Sequence, residues 1–123
     1  MLSSCLAYIP FKEKYPFEKR NREALRIIKK YPSRVPIICE RCGTTDVPLI
    51  DKHKYLVPKE LTMAQFMFVI RRRLKLDPAK AIFLFVNNNG IPSATMSLGE
   101  LYEEHKSEDG FLYTTYSGEN VFG

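Results

Sequence analysis

Apolar residues recur every three or four positions between Phe17 and Lys30, where Ala24, Leu25, Ile27, Ile28 and Tyr31 form a stripe. That is the period of an amphipathic helix. Pro16 stands where a first-turn proline would, and Pro32 ends the pattern. Arg34–Cys39 then reads as a strand, with Pro36 pointing to a sheet edge or a strand start. Residues 43–46 are turn material, and Tyr55–Val57 is a second strand that stops at Pro58. Thr62 and Gln65 have the spacing of a capping box, which opens a helix to Leu74 with Phe66, Val69, Ile70 and Leu74 on one face. Ile82–Val86 is a continuous apolar run of strand length, closed by a turn at 87–90. An unbroken run of this kind predicts a central strand buried on both faces. Ser97 and Glu100 form a second capping box for a short helix to His105. Asp109 and Gly110 turn into the last strand, Phe111–Tyr116.

The order is helix, strand, strand, helix, strand, short helix, strand. Two strands, a crossing helix and two more strands describe an α+β, ubiquitin-like β-grasp: a four-stranded mixed sheet whose first and last strands lie parallel at its centre. The N-terminal helical segment is an addition, expected on the sheet face that the crossing helix leaves open. The expected divisions are an N-terminal arm at 1–10, a helical extension at 11–32, the β-grasp core at 33–116 and a flexible tail at 117–123. One domain is what 123 residues hold.

Composition adds little, with 45% hydrophobic and 27% charged residues. No apolar run approaches the roughly 20 residues of a spanning helix. Met1–Ile9 is apolar without a basic flank, so a signal peptide is not expected and the chain is placed in the cytosol. Charge is more telling. Residues 1–80 hold 18 of the 19 Lys and Arg against 8 acids, and residues 81–123 hold one Lys against 6 acids. The first part therefore carries +10 and the second −5, which implies one surface that attracts acidic partners. Glu13, Glu18 and Glu23 interrupt the basic stretch Lys12–Arg34, and no helix-turn-helix, zinc-finger or aromatic RNA-binding pattern accompanies it. An acidic-peptide site or a solvated face is expected there, rather than a nucleic-acid site.

Cys39 and Cys42 have CxxC spacing, but no second ligand pair stands nearby as a zinc site requires. They follow a strand rather than opening a helix, where a redox thiol is activated. Neither a metal nor a cofactor is expected. An enzyme is not expected either, because paired carboxylates, a nucleophile elbow and a phosphate loop are all missing. Asn89-Gly90 reads as a turn, not a phosphate cradle.

The chain ends Ser117-Gly118-Glu119-Asn120-Val121-Phe122-Gly123. Most C-termini simply fray. On a β-grasp, however, a terminal glycine can be activated at its carboxylate, because a side chain there would obstruct acyl-adenylate and thioester formation in a narrow channel.

Several blocks in order resemble a known family: Phe11-Lys12, Tyr15–Arg20, Pro36–Glu40, Asp51-Lys52, Lys54–Pro58, Val69–Arg73, Ala81–Asn87, Glu108–Tyr113 and Tyr116–Gly123. On these residues the chain, from about Phe11 to Gly123, is similar to the autophagy ubiquitin-like modifiers related to GABARAP and the microtubule-associated light chains. The resemblance implies activation and conjugation by ubiquitin-like enzymes, processing by a cysteine protease, and linkage of Gly123 to phosphatidylethanolamine. It also implies a monomer in the cytoplasm before conjugation and residence on autophagosomal membrane afterwards. A modifier of proteins, or an unconjugated peptide-binding scaffold, would share the fold.

The resemblance further implies two pockets for receptor motifs of the form aromatic-x-x-aliphatic. One pocket comprises Glu23, Ile27, Pro36, Ile38, Lys54, Leu56 and Phe111. The other comprises Tyr55, Val57, Pro58, Leu61, Phe66, Val69 and Ile70. Lys52, Lys54 and Arg73 would attract acids that precede the motif. Among these, Val69 and Ile38 are expected to be mostly core, and Tyr55 and Leu56 to be at the surface beside two lysines. Met1–Pro10 has no counterpart in the family pattern, and the loop Asn87–Pro92 is one residue longer. The chain also ends at the glycine, where many members carry residues that are removed.

Overall fold

The computed structural model describes residues 9–42, 47–87 and 90–119. A short helix α1 (Phe11–Lys14) precedes α2 (Phe17–Lys30), and β1 (Arg34–Arg41) and β2 (Lys54–Pro58) follow. Then come α3 (Met63–Leu74), β3 (Phe83–Val86), α4 (Leu98–His105) and β4 (Leu112–Ser117). The sheet order is β2-β1-β4-β3, with β1 and β4 parallel and the outer pairs antiparallel. This is the mixed β-grasp sheet expected from the element order. The turn expected at 43–46 lies outside the described residues.

Both capping boxes form. Thr62 Oγ1 accepts from the Gln65 amide at 3.2 Å while Gln65 Oε1 accepts from the Thr62 amide at 2.9 Å. Ser97 and Glu100 reciprocate in the same way. Each box satisfies amides that the first helical turn leaves without partners.

Two apolar layers flank the sheet. Under α3 and α4 lies the main core, with Val35, Ile37, Tyr55, Val57, Phe66, Ile70, Leu84, Leu101, Leu112 and Tyr116 among its members. On the opposite face Phe11, Ala24, Ile38, Phe111 and Tyr113 form a second cluster with Tyr15 and Ile27, so the helical extension does cover that face. Gly110 permits this close approach. Its φ is +97°, and a Cβ there would stand 2.9 Å from that of Ala24. Arg20 Nη1 lies 2.5 Å from Oδ2 of the fully buried Asp109, whose carboxylate also accepts from Tyr113 Oη and the Phe111 amide. Burial alone would lower the Arg20 guanidinium, but its hydrogen bonds to Tyr113 and Asp109 raise it above the usual value.

Several expectations need correction. The strand at Phe83–Val86 is an edge strand, not a central one, since among the described residues it pairs only with β4. Its apolar run reflects burial of Leu84, Phe85 and Val86, which an edge strand attains when covered on both faces. Conversely, β1 is internal despite Pro36. Cys39 donates to His53 on the β2 side, so alternate residues point away from β2. Pro36 therefore points toward β4, one residue before that pairing begins at Ile37. Pro16 is the N-cap of α2 rather than its first residue. Leu25 lies outside the buried stripe at 57% exposure, and Tyr31 is exposed as well.

Candidate functional site

The edge strand β2 is the centre of the candidate site. Antiparallel pairing turns the backbone of alternate residues toward the neighbour and of the others away from it. Cys39 donates to the His53 carbonyl and Lys59 to the Ser33 carbonyl, so odd-numbered residues of β2 face β1. The main-chain groups of Lys54 and Leu56 therefore point outward. The Leu56 carbonyl is held by Arg34 Nη1 at 3.2 Å, a groove-edge contact that the sequence pattern did not signal.

Side chains alternate in the other direction. Lys54 and Leu56 face α2, in register with Ile38 and Pro36 of β1. The first predicted set thus assembles on one face. Glu23 and Ile27 come from α2, Pro36 and Ile38 from β1, Lys54 and Leu56 from β2, and Phe111 from the approach to β4. Ile38, Pro36 and Phe111 form a buried floor, whereas Ile27 and Leu56 are half-buried at the mouth. Phe11 joins this pocket, with Lys54 Nζ 5.9 Å from its ring centre.

The second predicted set lies on the α3 side, and here two expectations reverse. Tyr55 is core, at 7% exposure, with its ring edge-on to Phe66 and its hydroxyl donating to the Lys52 carbonyl at 2.7 Å. Odd numbering in β2 turns it inward, which outweighs two lysine neighbours. Val69 is at the surface, at 36% exposure. It lies one step round the helix from the buried Phe66 and Ile70. Ile38 is core, as expected. The accessible part of this set is Pro58, Leu61 and Val69, over a buried base of Val57, Phe66 and Ile70.

The three expected cations differ in how free they are. Lys54 Nζ lies 2.7 Å from Glu23 Oε2. Arg73 grips Asp51 at 3.0 and 3.3 Å, and this hydrogen bonding holds the Asp51 carboxyl below its ordinary value. Lys52 has no carboxylate in ion-pair range among the described residues, and its Nζ lies 5.4 Å from the Tyr55 ring centre. Gly123 lies outside the described residues.

The CxxC pair shows no sign of reactivity at Cys39, whose thiol is pushed up to about 12 by burial. Among the described residues, no group of three or more His, Cys, Asp or Glu could hold a metal ion. None of the described helices is long and apolar enough to cross a membrane.

Strand order, crossing helix and open edge define a ubiquitin-like domain, and comparison with known proteins agrees. The family model for autophagy protein Atg8, ubiquitin-like, matches residues 19–123. Autophagy-related protein 8 of Mycosarcoma maydis is 58% identical over 113 residues, covering 92% of this chain and 95% of that protein. Proteins of the same name from Schizosaccharomyces pombe and Candida glabrata are 57% and 55% identical, covering 92% of this chain and 93% and 95% of theirs. The chain belongs to the Atg8 family of autophagy proteins. It is a ubiquitin-like modifier rather than an enzyme.

Proposed function

We propose that this chain is conjugated through Gly123 to phosphatidylethanolamine. In that form it recruits receptors bearing aromatic-x-x-aliphatic motifs to autophagosomal membrane. Before conjugation it is a cytoplasmic monomer that the activating, conjugating and processing enzymes of the pathway handle. The observation that carries the receptor-binding part is the outward edge of β2, set between two half-open apolar clefts. A peptide strand laid along that edge gains main-chain hydrogen bonds from Lys54 and Leu56. Its alternate side chains then fall to either side. Ile27 and Leu56 receive the aromatic residue, and Leu61 and Val69 receive the aliphatic one. Lys52 is the cation best placed to meet preceding acids, because Lys54 and Arg73 already face Glu23 and Asp51.

Titration of the labelled protein with such a peptide, followed by amide chemical shifts, tests this reading. Shifts should concentrate at Lys54–Pro58, Ile27 and Val69. Saturable binding that leaves those amides unmoved would place the peptide elsewhere.

A further inference from the structure

The last turn of α3 carries three consecutive arginines and a C-cap lysine, and their partners separate them. Arg71 is spent internally, donating to the carbonyls of Lys80 at 2.8 Å and Asp77 at 3.2 Å. Arg73 is paired with Asp51. Arg72 and Lys75 are exposed and have no carboxylate within ion-pair range among the described residues. The Arg72 guanidinium instead sits 5.8 Å from the centre of the Phe68 ring, which is 60% exposed on the helix face directed away from the sheet. Lys75 ends the helix with φ +56°, in the left-handed region that favours glycine.

The position of this turn in the fold gives the patch its direction. Arg71 ties residues 77–80 to the end of α3. Three residues after Lys80 the chain enters β3 at Phe83, which stands opposite Ser117, the last residue of β4. The end of α3 and the end of β4 therefore share one end of the sheet. Six residues, 118–123, separate Ser117 from Gly123, a reach of at most about 20 Å. A lipid on Gly123 thus tethers this end of the domain within about 20 Å of the bilayer.

From this we infer that Arg72, Lys75 and the Phe68 ring form a membrane-facing patch. It rests on the anionic phospholipid headgroups around the attachment point. The inference depends on the lipid-attachment reading proposed above. Two unpaired cations beside an exposed aromatic ring match such a surface: the cations meet phosphate and carboxylate, and the ring settles at the headgroup level. Each cation near an anionic surface contributes about fivefold to the docked population. Phe68, Arg72 and Lys75 line one cleft with Val69, Arg73 and Asp51, so the patch borders the second receptor cleft, while the first, at Ile27 and Leu56, lies on the opposite face of the sheet.

The chain contains no tryptophan, so Phe68→Trp introduces a single reporter at the patch. This variant is conjugated to vesicles containing phosphatidylethanolamine, with or without phosphatidylserine, and conjugation is scored separately by gel mobility. On phosphatidylserine vesicles the emission should move to shorter wavelength and be quenched by brominated lipid. Adding Arg72→Glu and Lys75→Gly, the latter compatible with the left-handed turn, should remove both effects at equal conjugation. Conjugated protein with the emission of the free chain would overturn the inference. So would an equal shift on vesicles without anionic lipid, or a shift produced by an acidic receptor peptide but not by vesicles. Failure to conjugate at all would overturn the attachment reading, and this inference with it.

Discussion

Glu23 of α2 and Lys54 of β2 meet at 2.7 Å across the mouth of the pocket that Ile27 and Leu56 line. The pair neutralises the cation nearest the pocket before any peptide arrives. Glu23→Gln keeps the side-chain size and releases the Lys54 charge. Association with an acid-preceded aromatic-x-x-aliphatic peptide should then quicken a few-fold at low salt, with dissociation little changed. The gain should fade as salt rises, because the groups are exposed. Stopped-flow kinetics at two ionic strengths checks this, and an unchanged association rate would show that Lys54 takes no part in steering.

Leu56→Ala with Val69→Ala removes one half-open contact from each cleft while leaving the buried floors in place. Affinity for the peptide should fall by about 2 kcal/mol or more, with the melting temperature nearly unchanged. Tyr55→Ala should behave differently. It removes a core ring packed on Phe66 and should cost the fold about 3–5 kcal/mol. Calorimetry of binding beside urea unfolding separates the two effects.

The contrast between Tyr55 and Val69 shows what the sequence conveys. Capping residues and apolar periodicity located the helices and strands, because those signals act over three or four neighbours. Facing is harder to read. Whether Tyr55 points in or out depends on which residues of β2 pair with β1, and that is set by Cys39 donating to His53, a long-range fact. Likewise the unbroken apolar run Ile82–Val86 suggested a central strand, although covering layers can bury an edge strand equally well. The pockets came from resemblance to a family. Phe11 in the first pocket and Arg34 on the Leu56 carbonyl gave no signal in local pattern, since both are tertiary contacts of isolated residues.

Arg20→Ala should destabilise the protein by about 3–5 kcal/mol, because it leaves the carboxylate of Asp109 buried without its cation. The loss falls on the contact that pins α2 to the sheet. Amides of α2 should therefore gain hydrogen-exchange rate more than those of α3. Uniform acceleration of both helices would mean that the helical extension does not open separately.

Alkaline pH should weaken the fold. Burial raises the Cys39 thiol from 9.0 to about 12 and the Tyr116 hydroxyl from 10.0 to about 12. Below about pH 8 both groups are essentially protonated, folded or not, and make no difference. Above it the unfolded chain releases its protons first, so the folded state binds more and stability declines as pH rises toward 12. Each group contributes at most about 1.4 kcal/mol per pH unit. Urea unfolding from neutral pH to about pH 10.5 should show this decline, and flat stability across that range would contradict the burial assigned to both groups.

The most direct test of the central claim is the mass of the C-terminal peptide from protein recovered on membranes. Phosphatidylethanolamine should be found on Gly123, and Gly123→Ala, folded as before, should acquire none in a reconstituted conjugation reaction. Unmodified Gly123 on the recovered protein, or lipid transfer to Gly123→Ala at the parent rate, would contradict that claim.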